Sequence, residues 1–104
     1  MEKELVTFIN DTFSLQVHDS NYAEMKLLLS SKINDWIIHD FSKLIHVLYR
    51  IDVSEKKINQ LLQENILKDA SDILADLIIE RQMQKIESKR NTPPYKNGSS
   101  EEAW

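Results

Sequence analysis

Apolar residues along the chain recur mostly at helical spacing. In "EKELVTFIN", Leu5, Phe8 and Ile9 fall on one side of a 3.6-residue turn and predict a short helix near residues 2–11. The next segment, "TFSLQVHD", alternates Phe13, Leu15 and Val17 with the period of a strand. No second convincing strand exists to pair with it, so it reads as an extended connector. At "NYAEMKLL", Asn21 and Glu24 stand three apart before an apolar run, the spacing of a helix cap and its returning carboxylate.

From Asn21 to about Ile51 no proline or glycine stops the helix. Tyr22, Met25, Leu29, Ile33, Trp36, Ile37, Leu44, Val47, Leu48 and Ile51 form one broad stripe. Such a helix is about 46 Å long at 1.5 Å per residue, more than a compact domain of this size covers. It therefore kinks, with Ser30 and Ser31 as a candidate place, or a second copy packs along it. "DVSEKK" ends it, with Asp52 or Ser54 as the next cap. "EKKINQLLQENIL" turns Ile58, Leu61, Leu62 and Ile66 inward. A last helix follows Asp69, with Asp72 in its first turn and Lys85, Lys89 and Arg90 toward its end, the charge order a helix dipole favours.

The expectation is an all-α fold, a small helical bundle with one long central helix and shorter flanking helices, four in all. It spans residues 1–91 and is followed by a flexible tail over 92–104. The expected core includes Phe8, Leu29, Ile33, Trp36, Ile37, Leu44, Leu48, Leu61, Leu62, Ile73 and Leu77.

Composition narrows the chemistry. The single glycine, Gly98, and both prolines, Pro93 and Pro94, lie in the tail, so glycine-rich phosphate loops and dinucleotide fingerprints have no place in the helical part. With no cysteine, there are no disulfides, thiolate metal sites or cysteine nucleophiles. Hydrophobic residues at 41% and charged residues at 29% have the balance of a globular protein. The opening "MEKELVTFIND" lacks the pattern of a secretory signal, and no apolar run approaches the roughly 20 residues of a membrane span, so a cytoplasmic location is expected.

Charge by segment is 0 over residues 21–52, −3 over 53–80 and +3 over 81–92, within a net −4. Only "RQMQKIESKR" is basic, a small footprint for phosphate neutralisation, and the preceding helix start carries Asp69, Asp72 and Asp76. Nucleic acid is therefore not the expected partner.

Asp40 is the acid that interrupts the apolar stripe, one turn from Trp36 and Ile37 and one turn from Leu44. On that phase it points to the core, and a buried carboxylate needs a partner. The expectation is a buried polar residue held by a basic side chain or by helix-start amides, such as those from Val53 to Lys56. Asp35 and His39, four apart, are weak metal candidates that need a third ligand, such as His18 or a group of a second subunit; an ion pair on the helix surface is the plainer reading. On the last helix Ile73, Leu74, Leu77 and Ile78 form one apolar face, and Ile79, Met83 and Ile86 form another nearly opposite. The second face is the expected seam of a homodimer. The final "SSEEAW" pairs two acids with an aromatic, as a peptide for a basic apolar groove would, although a solvated end is the plainer reading.

The function expected from these features is a small non-catalytic helical interaction module that self-associates or docks on an unidentified protein partner through helix faces. It needs no cofactor and no membrane. The alternative is a DNA-binding regulator using the basic end of the last helix; a metal-dependent enzyme is third.

Overall fold

The computed structural model describes residues 3–18, 21–65 and 68–91. Among them are five helices and no strand: α1 (Lys3–Phe13), α2 (Tyr22–His39), α3 (Phe41–Ile51), α4 (Glu55–Glu64) and α5 (Ala70–Asn91). The tail expected over 92–104 and the inward position expected of Ile66 lie outside the described residues.

Leu5, Val6, Ile9 and Phe13 form the buried face of α1, which extends two residues past the predicted end because Phe13 continues the spacing set by Ile9. Ser14 ends the helix in the left-handed region at φ 55°. The extended connector is tied back to α1 through Asn10, whose side chain accepts from the Val17 amide at 2.8 Å and donates to the Val17 carbonyl at 3.1 Å. Val17 is thereby buried.

Asn21 caps α2 as its spacing predicts, accepting from the Glu24 amide at 2.6 Å. Met25, Leu29, Ile33 and Trp36 turn inward. The helix does not run on to Ile51, nor does it break at Ser30 and Ser31. It stops at Asp40, where the backbone turns out to φ −155°, ψ 66°. The Asp40 amide closes α2 on the Trp36 carbonyl at 2.8 Å, and its carbonyl accepts from Lys43 at 3.1 Å to open α3. Four helices were thus the wrong count, because one expected helix is two.

At its far end α3 closes on Asp52, left-handed at φ 68°, with the Asp52 and Val53 amides returning to the Leu48 carbonyl. Ser54, one of the two caps expected there, opens α4 by accepting from the Lys57 amide at 3.1 Å. This short helix lies at the margin of the bundle: Ile58, Leu61 and Leu62 are only half-buried, so the last two are not the core residues expected. Phe8 and Ile37 are likewise half-buried against the core rather than within it.

The central helix is α5. Ile73, Leu74, Ala75, Leu77, Ile78 and Ile79 are all buried, so its middle is apolar nearly all round. It packs against α1, α2, α3 and α4, and its largest interface is with α2. The second apolar face has its partners inside the chain: Ile79 and Ile86 are 4% and 5% exposed, and Met83 is half-buried against the same core. This corrects the expected dimer seam, since the bundle itself covers the residues assigned to it.

Candidate functional site

Asp40 is exposed, contrary to the expectation for a buried polar residue. It is bonded at a helix start as expected, but at that of its own following helix: the carboxylate accepts from one amide, that of Lys43, and from the Ser42 hydroxyl, both at 3.3 Å. Breaking the helix rotates the side chain off the apolar stripe. Asp40→Ala is therefore expected to cost about 0.5–2 kcal/mol, the range for a lost cap, with Asp40→Asn retaining most of it and Asp40→Leu giving no recovery. Urea melts of the three variants check this; full stability in Asp40→Leu would instead indicate a dry site.

Asp35 and His39 face each other on the surface of α2, with His39 Nδ1 3.0 Å from Asp35 Oδ1 and both side chains more than half exposed. His18 and His46 are exposed elsewhere. Among the described residues no group of three or more metal-ligating side chains converges. The Asp35 and His39 pair is an i,i+4 contact at the surface.

Sequence reasoning missed a polar seam between α2 and α5. Tyr22, Lys26 and Ser30 occupy one row of α2, and Asp72 and Asp76 the facing row of α5. Lys26 Nζ lies 3.0 Å from Asp76 Oδ1, and the Tyr22 hydroxyl donates to the same oxygen at 3.4 Å. Lys68 reaches Asp76 at 3.4 Å. Buried Ser30 donates to the Asp72 carboxylate and lies 3.2 Å from the buried Ser71 hydroxyl. The signal was present as two i,i+4 series of opposite character, but nothing in one chain said that they face each other. The seam sets helix register: a slip of one turn would leave Asp72 and Ser30 unpaired at a dry interface.

The seam also sets a pH response. Burial, and then the Asp76 carboxylate, hold the Tyr22 phenol above its ordinary 10.0; the hydrogen bond to Asp76 is the chief cause holding Lys26 above 10.5. The folded chain keeps both protons longer than the unfolded chain does, so this contribution is fully present below about pH 10 and is lost as pH rises through the raised values. Melting temperatures followed into that alkaline range should fall more steeply for the native protein than for Asp76→Asn. Parallel curves would show that Asp76 sets neither proton affinity.

On its outer side α3 carries Phe41, Ile45 and Tyr49, four apart and therefore in one row. They are 56%, 47% and 86% exposed, and Ile38, at the end of α2, is 66% exposed. Outward of this row lie His46 and Arg50, both exposed. Lys43 sits over the Trp36 ring with Nζ 5.0 Å from its centroid. No helix among the described residues is long and apolar enough to cross a membrane.

No family model matches this chain, and comparison with curated proteins and with solved structures gives no match either.

Proposed function

We propose that the protein is a non-catalytic helical interaction module that forms a homodimer through the outer row of α3. The observation that carries this reading is the exposure of Phe41, Ile45 and Tyr49 in register on one short helix. Single exposed apolar residues are ordinary, but three large ones in a row, with Ile38 close by in sequence, form a patch of the kind that marks association surfaces.

The row is self-complementary. An antiparallel pair of α3 helices with Ile45 on the two-fold axis sets Phe41 of each copy against Tyr49 of the other. Taking about 150–250 Å² for a fully exposed aromatic side chain, the four residues offer on the order of 500 Å² per copy, or roughly 1,000 Å² for the pair. That is the lower bound for a specific interface and fits a dimer that exchanges with monomer.

Light scattering across a dilution series tests the proposal. A mass moving from dimer toward monomer is expected for the native chain, and a monomer mass throughout for Ile45→Asp/Tyr49→Asp with its helical circular dichroism intact. A native chain that is monomeric at every concentration, or a dimer unaffected by the double substitution, overturns it. The regulator reading has less support, because Arg81 and Arg90 of the basic segment are engaged within the chain by Asp52 and Glu4.

A further inference from the structure

Away from the α3 row, the start of α1 and the last turns of α5 border an open groove of about 530 Å³, within the size range of ligand pockets. Its apolar part is Phe8, half-buried, and Ile86, buried. Around these stand Lys3, Lys85 and Lys89, none of which makes an ion pair with another described residue. The one acid of the lining, Glu4, is engaged by Arg90 at 3.2 Å. The groove is therefore apolar within and cationic at its edge. Burial, and then the nearby Arg81, pull the Lys85 ammonium below its ordinary 10.5 despite the opposing charge of Asp52, so an incoming anion would relieve it.

We propose that this groove binds the chain's own segment Glu101–Trp104 in cis, with the indole against Phe8 and Ile86 and the two carboxylates on the lysines. The chemistry matches on both counts. Glu101 and Glu102 are the only acids after Asn91, and Trp104 follows two residues later. The reach matches as well. Lys89, Lys85 and Gln82 precede Asn91 by two, six and nine residues, so they lie about 3 to 14 Å back along the helix axis. Nine residues lie between Asn91 and Glu101, and a flexible linker of that length spans about 17 Å on average. A linker whose span is close to the distance it must cover holds its ligand at near-maximal effective concentration, of order millimolar. Two glutamates and an indole, weak as a free peptide, are then sufficient to fill the groove much of the time.

The test is methyl-detected NMR on the full chain. Glu101→Lys/Glu102→Lys and, separately, Trp104→Ala are expected to shift the Ile86 δ1 methyl while leaving that of Ile33, in the α2 core, in place. All three positions lie outside the described residues, and far-UV circular dichroism confirms native helix content in both variants before their spectra are compared. Added salt should move the native Ile86 signal toward the variants' position, and dilution should not. An Ile86 methyl at the same position in all three proteins shows the groove unoccupied by this segment and overturns the proposal. A native shift that disappears on dilution overturns docking in cis, since it makes the occupant a second copy's segment. Neither result bears on the α3 dimer, whose disruption is read from mass.

Discussion

Ile79→Asp should leave the chain largely unfolded rather than separate two folded copies. Ile79 is 4% exposed and belongs to the continuous core around α5. Removing its side chain costs about 2–5 kcal/mol by lost burial and the void left behind. The aspartate must then enter a dry site as an ion, at several kcal/mol, or take up a proton and remain short of hydrogen-bond partners. The two effects together approach or exceed the whole stability of a domain of this size, about 5–15 kcal/mol. Far-UV circular dichroism of the variant should therefore show loss of helix at any concentration. A folded monomer with native helix content would restore Ile79, Met83 and Ile86 as a seam between copies. The contrast with Ile45→Asp is the informative part: the same chemical change on the outer row of α3 should leave helix content and melting temperature nearly unchanged and alter only mass.

The two isoleucines also show how far the sequence could be read. That α5 has two apolar faces was legible from spacing alone. Which elements cover them was not, because the covering residues come from helices far away in the chain, and a covered face and a free face have the same composition. For α3 the opposite held. Phe41, Ile45 and Tyr49 were in plain view at i, i+4 and i+8, yet the adjacent Leu44, Val47, Leu48 and Ile51 account for the inward stripe and drew attention from the residues left over.

Local signals fared better where a polar side chain meets a free amide. Asn21 was identified as a cap from its neighbours, and Ser54 was one of two candidates, with Asp52, for the next. Asp40 escaped because the buried residues keep their phase across the break. Trp36, Leu44, Val47 and Ile51 remain at helical spacing, so the stripe reads as one helix with an acid buried in it. The carboxylate belongs where it is for the reason that it interrupts the helix. Aspartate is among the best residues for satisfying the first amides of the next one, and a free turn lets its side chain swing to water. The Tyr22, Lys26, Ser30 row and its acids on α5 were each visible as charge or hydroxyl patterns, and only their juxtaposition in three dimensions makes them a register lock.

Phe13→Ala should lower stability by about 3–5 kcal/mol, the range for emptying an aromatic site in a core. Phe13 is fully buried, and its ring lies 5.0 Å from that of Trp36 at a tilt of 32°. Lys43 meets the same indole. These three residues join the end of α1, the end of α2 and the start of α3, so a void at Phe13 loosens the corner where three helices meet. α1 packs on α2 and α5, and losing its last buried side chain weakens both attachments. The Lys43 contact is of a different size: the lysine is exposed, and a solvated cation over a ring contributes about 0.5–1 kcal/mol, so Lys43→Ala should move the urea midpoint only slightly. Equal destabilisation by the two substitutions would mean that the corner is held by the cation and not by the packed rings. A native-like midpoint for Phe13→Ala would mean that α1 is not needed for the remaining helices to hold together, and that Leu5, Val6 and Ile9 add little to the core around α5.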